Sequence, residues 1–333
     1  MKRVLVTGGC GFLGSWMVRQ LVEEEGCDVR VFAVPGESRE NIADLPVEFV
    51  EGDIRSREQV ERAMVDIDTV FHAAAIYQDY APDPTLMYDV NLRGTFYVLE
   101  AARRAGVEKA IYTASIVSLG RPEPGELADE GTPYECWDLD FPYSRSKFHS
   151  RELAEYFGAW DLDLRVVCPA IVFGPGDLRP TPSGELIIKQ FKPGLPAVHF
   201  KGGANYVDVR DAARAHVLAA KHGKAGERYL ASGANLTNRE LVEAIQRVTG
   251  ANKPLIELPL PVAKTMASGM HMAARATGTT PLLAKDFFEY SLKPSFYSNE
   301  KAKRELGATF RPIDDTIRDA IVYFRRRGLI AAA

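Results

Sequence analysis

Val4-Leu5-Val6-Thr7-Gly8-Gly9-Cys10-Gly11-Phe12-Leu13-Gly14 reads as a β-strand that passes through a Gly-x-x-Gly-x-x-Gly turn into a helix. Gly8 permits the tight turn, Gly11 lets the backbone approach a pyrophosphate, and Gly14 lets the helix pack close to the strand. A helix that starts here points its free N–H groups and the positive end of its dipole at the same place. Glycines alone would also describe a flexible loop. Their position between a strand and a helix, beginning at residue 8, points to dinucleotide binding.

Working outward, β-rich runs at Arg3–Thr7, Asp28–Val34, Val47–Glu51, Thr69–Ala73, Lys109–Ser115 and Leu164–Cys168 alternate with helical patterns at Leu13–Glu24, Arg57–Met64, Met87–Ala105 and Tyr143–Trp160. Parallel strands need crossover connections, and crossovers that cover both faces give an α/β, Rossmann-type doubly wound parallel sheet. The expected division is a dinucleotide-binding domain over 1–170 and a smaller, mainly substrate-binding lobe over 171–330, some of whose segments return to the first core. In that lobe Thr237 and Glu240 have capping-box spacing. Asp314 and Asp315 open the last helix and Arg325–Arg327 close it before Gly328, as helix-dipole partners. Met266, Met270 and Met272 form a stripe expected to face the core or a pocket.

Composition narrows the function. The chain has 333 residues with 41 Lys and Arg against 45 Asp and Glu, a net charge of −4 that calls for no nucleic-acid partner. Cys10, Cys27, Cys136 and Cys168 are too irregularly spaced for a disulfide framework or a metal site. The apolar run after Lys2-Arg3 ends at Thr7, too early for a secretory leader, and no stretch is long enough to span a membrane. A soluble cytoplasmic protein without a metal is expected. His216 and His222 read as core or surface residues and Cys10 as structural.

The end of the second strand ordinarily carries an acid for the ribose hydroxyls of NAD, and here it carries Val34. With Arg39 downstream, NADP is favoured and NAD remains possible; Glu37 weighs against the preference, and Arg39 could equally be a solvated surface residue. Asp53-Ile54 is placed to meet the adenine edge, although Asp53 could equally cap a helix. Ala73-Ala74-Ala75 has side chains small enough for a cofactor to lie against the backbone.

Tyr143 and Lys147 stand four residues apart on one helical face. That spacing is common, and a second copy at Tyr297 and Lys301 reads as accidental. The first copy is distinguished by its context. The strand ending Thr113-Ala114-Ser115 can bring the Ser115 hydroxyl to the same sheet edge, although a strand-end cap would also account for that serine.

With these residues the chain resembles the extended short-chain dehydrogenase/reductase family, also described as NAD-dependent epimerase/dehydratases. The matching features are Thr7-Gly8-Gly9-x-Gly11-Phe12-Leu13-Gly14, Gly52-Asp53, His72-Ala73-Ala74-Ala75, Asn91-Leu92-Arg93-Gly94-Thr95, Ser115, Tyr143-x-x-x-Lys147 and Pro169 before Gly174-Pro175. Within the family it is similar to the dihydroflavonol reductase-like and hopanoid-associated sugar-epimerase-like branch, through Ala81-Pro82-Asp83-Pro84, Arg179-Pro180-Thr181-Pro182-Ser183-Gly184 and Gly226-Glu227-Arg228-Tyr229.

The resemblance implies that Tyr143 exchanges a proton with the substrate oxygen as hydride moves, that Ser115 hydrogen-bonds that oxygen, and that Lys147 holds the nicotinamide ribose and lowers the Tyr143 pKa. It also places Phe12, Leu13, Thr113, Pro169 and Val172 along the cofactor, and homodimers of relatives commonly form through the helices at Met87–Ala105 and Tyr143–Trp160. Three functions follow: an oxidoreductase of a small carbonyl compound, a nucleotide-sugar epimerase/dehydratase with tightly bound NAD, and a non-catalytic NAD(P) sensor. The intact Ser115/Tyr143/Lys147 set disfavours the sensor. Sugar-nucleotide epimerases resemble one another in an Asn that here is Cys168, so a reductase of a fairly hydrophobic substrate is favoured, with Tyr77 and Tyr206 as candidate pocket residues and Phe191, Phe200, Phe287 and Phe288 adding to the lobe's apolar character.

Overall fold

Strand β1 (Arg3–Thr7) leads through the glycine turn into α1 (Phe12–Glu23). The alternation continues through β2 (Asp28–Ala33), β3 (Glu48–Glu51), α2 (Arg57–Ala63), β4 (Thr69–His72), α3 (Thr85–Tyr88), α4 (Thr95–Ala105), β5 (Lys109–Thr113), α5 (Pro142–Trp160) and β6 (Leu164–Pro169). Then come β7 (Ile171–Phe173), α6 (Pro182–Gln190), β8 (Ala197–His199), β9 (Gly203–Asp208), α7 (Val209–His222), β10 (Arg228–Ala231), β11 (Ala234–Thr237) and α8 (Asn238–Thr249). The last elements are β12 (Leu255–Glu257), α9 (Leu260–Thr277), α10 (Lys285–Ser291) and α11 (Ile313–Arg326). The computed structural model describes residues 1–191, 196–251, 253–279, 281 and 284–330.

Seven strands form one sheet in the order β10-β6-β5-β4-β1-β2-β3, every neighbouring pair parallel. The chain winds one way from β1 to β3 and the other way from β4 onward, so the crevice lies at the carboxyl ends of β1 and β4. Strands buried on both faces read as unbroken apolar runs, and Val4, Leu5, Val6, Val29, Val31, Val70 and Phe71 are all sealed from solvent. A second sheet, β11-β9-β7, backs a smaller core in which Phe173, Ile187, Tyr206, Leu241, Ile317 and Phe324 meet. The chain returns to the first core late, through Tyr297, Ala302, Leu306 and Ala308.

Local details bear on the sequence expectations. Thr237 and Glu240 form the full capping box at the start of α8. Asp314 and Asp315 occupy the first turn of α11, and Asp314 also takes a bidentate ion pair from Arg247 of α8 at 2.7 and 2.8 Å. The continuous helix expected over Met87–Ala105 is instead α3, a π-helical turn over Asp89–Gly94, and α4. The wider turn lets the Asn91 side chain face inward, where its amide has other work; apolar periodicity carries no trace of that. The methionine stripe also differs from expectation. Helix α9 packs through Ala263, Ala267 and Ala274, while Met266 and Met272 face solvent.

The glycine turn is held by contact between backbones. A Cβ on Gly14 would lie 2.1 Å from the Gly8 carbonyl oxygen, and one on Gly8, whose φ is +72°, would lie 2.8 Å from the backbone of Ala74. No side-chain motion relieves either clash. Gly14→Ala should therefore destabilise the fold by about 1–3 kcal/mol despite alanine's better helix propensity, read as a lowered melting temperature; an unchanged or raised value contradicts this packing.

Candidate active site

Helix α1 begins with no side-chain cap and no acidic residue in its first turn. The N–H groups of Gly8 and Gly11 donate to the Phe32 and Gly8 carbonyls and hold the turn, while the leading N–H groups of α1 remain available to an anion. They face a cavity of about 400 Å³ at the carboxyl ends of the strands. Gly8, Gly11, Phe12, Leu13, Gly14, Ala73, Ala75, Tyr77, Thr113, Ser115, Tyr143, Lys147, Pro169 and Val172 all line it. Ala74 lies beneath Gly8 as backbone support.

Four residues singled out from sequence are elsewhere. Arg39 donates to Glu51 at 2.9 Å and lies 3.5 Å over the Phe49 ring, at the rim of the sheet and not in the cavity wall. Asp53 accepts from the Arg55 backbone and guanidinium and shapes the turn before α2. Ile54 is buried against Gly94. Tyr206 stacks on Phe173 with centroids 5.2 Å apart in the smaller core, a packing residue outside the cavity.

The deep end of the cavity is organised around α5. The Lys147 ammonium, only 3% exposed, donates to the Thr113 carbonyl at 2.9 Å. The Thr113 hydroxyl meets His216 Nε2 at 3.1 Å, and His216 Nδ1 meets the Ala212 carbonyl at 2.7 Å. A carbonyl only accepts, so Nδ1 carries the hydrogen and Nε2 accepts from Thr113. Burial pulls His216 down to about 4, with Lys147 adding to the shift, so the ring is neutral and α7 braces the strand that holds the lysine.

A second buried chain of hydrogen bonds sets the tyrosines. His72 joins Thr7 at 2.7 Å and Thr95 at 2.9 Å. Thr95 donates its hydroxyl hydrogen to the Asn91 carbonyl at 2.7 Å, so His72 Nε2–H donates to Thr95 and Nδ1 accepts from Thr7. The Asn91 amide clamps the backbone of Ile76 from both sides, at 2.8 and 3.0 Å, and donates to Ser146, which donates to the Tyr143 carbonyl. Burial holds His72 at about 3, hence neutral. One network thus fixes both the start of the Tyr77 loop and the first turn of α5. Asn91 belonged to a recognised motif, but its role depends on the π-turn.

Tyr77 and Tyr143 touch, with ring centroids 4.7 Å apart. Ser115 caps the short 3₁₀ turn over Ile116–Ser118, accepting from Val117 N–H at 3.4 Å, and also lines the cavity. Burial raises the Tyr143 phenol; a hydrogen bond with Ser115 pulls it down and the charge of Asp79 pushes it up. The Lys147 ammonium, expected from sequence to lower this phenol, donates to the Thr113 carbonyl at 2.9 Å. Burial brings Lys147 down to about 8 and Asp79 up to about 6.

Sequence reasoning missed Asp79, whose charge acts on Tyr143, and Phe141, Tyr290 and Ser295 in the cavity wall, which come from loops and from the far lobe where no local pattern marks them. Thr181 and Ser183 also line the wall; they stand in the motif Arg179–Gly184, where sequence gave them no role. Of the apolar residues noted in that lobe, Phe287 lines the cavity and Phe288 is buried against Phe200. The second Tyr-x-x-x-Lys pair serves packing: Tyr297 shares its hydroxyl between the Ile116 and Gly120 carbonyls, and Lys301 pairs with Glu227 at 2.6 Å. Cys10 is buried and its thiol is pushed up to about 11. No cluster of three or more metal-ligating side chains occurs among the described residues.

Comparison with known proteins agrees with this geometry. The profile of the NAD dependent epimerase/dehydratase family matches residues 4–231. A Synechocystis protein assigned provisionally as a dihydroflavonol 4-reductase is 31% identical over 98% of this chain and 95% of its own length. The crystal structure of gox2253 superposes with a TM-score of 0.87 at 34% identity, covering 99% of this chain and 100% of the other. The UDP-glucose 4-epimerase of Thermus thermophilus, solved with NAD, superposes with a TM-score of 0.77 at 27% identity over 97% of this chain and 99% of its own. The chain belongs to the NAD-dependent epimerase/dehydratase family and is an enzyme of the extended short-chain dehydrogenase/reductase type.

Proposed function

We propose that the chain is an NADP-preferring reductase that interconverts a carbonyl and an alcohol on a fairly hydrophobic small molecule. The observation that carries this reading is the placement of the Tyr143 and Ser115 hydroxyls in one cavity whose other walls are largely apolar, from Phe12 and Leu13 to Val117, Phe141, Ile171 and Phe287. The fit of a dinucleotide rests on the uncapped start of α1 and on a glycine cradle that a Cβ would fill. The backbone of Gly8, Gly11, Phe12 and Leu13 would hold its diphosphate, with Ala73, Ala75, Pro169 and Val172 against its body and Lys147 at the ribose. When bound, a nicotinamide supplies or accepts the hydride.

This chain's residues handle the proton. Tyr143, its pKa raised by burial, is protonated at neutral pH, the form that donates to a carbonyl oxygen during reduction. Ser115 steadies the charge that develops on that oxygen. Tyr77, against Tyr143, limits how a substrate approaches. Cys168 lies fully buried in β6, where it offers no amide to a sugar diphosphate. The NADP preference is supported by Val34 beyond the end of β2 and by Arg39 nearby, which would exchange Glu51 for a 2′-phosphate. Exposed Phe96, Tyr156 and Trp160 on α4 and α5 support a homodimer through those helices. Four unpaired cysteines suit the cytoplasm.

Tyr143→Phe should abolish turnover and leave cofactor affinity nearly intact; activity close to that of the native enzyme rejects the assignment. Fluorescence titration should show tighter binding of NADPH than of NADH. The same protein, assayed on alcohols, ketones and UDP-sugars, should consume cofactor with a carbonyl or alcohol substrate, and epimerisation without net consumption overturns the reductase reading. Lys147 provides a separate test. Its folded-state pKa of about 8 lies below the usual 10.5, so confining its charge opposes folding by roughly 3 kcal/mol at pH 7. The unfolded chain holds this proton up to higher pH, so the penalty disappears as pH rises through 8 toward 10.5. Lys147→Met should be inactive yet melt no lower than the native protein at pH 7, with its relative stability declining above pH 8.

A further inference from the structure

Helix α9 has an outward face of unusual chemistry. Ala263, Ala267 and Ala274 form the stripe that packs inward, joined by Phe288 and Leu292 of the α10 region and by Phe200. At about 3.6 residues per turn, the opposite half of the helix presents Pro261, Val262, Thr265, Ser268, Gly269, Met272, Ala273 and Ala276, with Met266 at one edge and Lys264 and Arg275 at the other. Val262 is 47% exposed, Met266 43% and Met272 72%. A solvent-facing helix surface ordinarily carries charges of both signs, and this one carries only two cations, along one edge.

The charges that the helix does have are all of one sign. Lys264 and Arg275 share one flank of the apolar face, both exposed, and neither makes an ion pair among the described residues. No Asp or Glu occurs anywhere in α9, in a chain whose net charge is −4. An apolar face bordered by unpaired cations complements an anionic lipid surface, where side chains enter the acyl boundary while the cations meet headgroups.

The position of α9 in the fold agrees. It is the outer layer over α10, whose Phe287 and Tyr290 line the cavity, and its His271 packs edge-on against Tyr80, three residues beyond Tyr77, with ring centroids 5.6 Å apart. No helix among the described residues is long and apolar enough to cross a membrane, so the contact would be peripheral. We infer that α9 is a docking face for anionic phospholipid membranes, which lays the cavity wall formed by α10 and the Tyr77 loop against the bilayer.

The test is co-sedimentation of the full chain with vesicles of phosphatidylcholine alone and with phosphatidylglycerol added. Binding is expected with phosphatidylglycerol, weaker without it, and reduced by salt. Val262→Glu with Met272→Glu should lower the vesicle partition coefficient at least tenfold, and Lys264→Glu with Arg275→Glu should remove the preference for phosphatidylglycerol. All four positions are exposed, so melting temperature and NADPH titration should not change, and neither readout depends on the substrate or on turnover. Absence of binding to phosphatidylglycerol vesicles, binding indifferent to both double substitutions, or a solution dimer that Val262→Glu with Met272→Glu dissociates would each overturn the proposal.

Discussion

Gly14 and the Gly8 carbonyl approach so closely that no side chain fits between them, and the arrangement of the cavity depends on that approach. It brings the start of α1 against the end of β1, which directs the helix N–H groups at the crevice between β1 and β4. Ala74 presses on Gly8 from β4's side, so the same contact sets the floor of the cavity. Once three backbones are in van der Waals contact, a dinucleotide's diphosphate has one place to lie, and whatever is bound beside it must be presented from the opposite wall.

That opposite wall is held by polar groups that water does not reach. Thr7, His72, Thr95, Asn91 and Ser146 connect β1 to the first turn of α5 through bonds in which each donor has one acceptor. Fully satisfied buried networks are rigid, because breaking one bond leaves a buried group unpaired. Lys147 and His216 form the matching brace on the far side. The two histidines are thus neutral hydrogen-bond relays for position, and Tyr143 and Ser115 are the hydroxyls they leave facing the cavity.

Sequence reading recovered the parts whose physics is local. The strand-turn-helix at Val4–Gly14, the alternation through Leu164–Cys168 that gives a doubly wound parallel sheet, and the placement of Tyr143 and Lys147 on one helical face each follow from short-range pattern. What it missed depends on contacts across the fold. Tyr206 looked like a pocket residue until Phe173 was seen stacked on it. Arg39 was weighed without Glu51 and Phe49, its actual partners. The π-turn at Asp89–Gly94 leaves the apolar repeat of its neighbours unchanged, and Met266 and Met272 share a helix with three alanines that do the packing instead.

The order in which the chain builds its sheet has a consequence in time. Strand β6 is covered on one side by β5, and on the other only by β10, which follows all of β7 through α7. During synthesis β6 is therefore a bare edge with an apolar strand behind it until residue 231 has left the ribosome, the kind of surface that invites mispairing. His216, which braces Thr113 beneath Lys147, emerges within that same interval, and Tyr297, which ties down the carbonyls of Ile116 and Gly120 next to Ser115, emerges later still. The phosphate cradle is written into residues that appear before all of these, whereas the loop that presents the serine waits for Tyr297, far later in the chain.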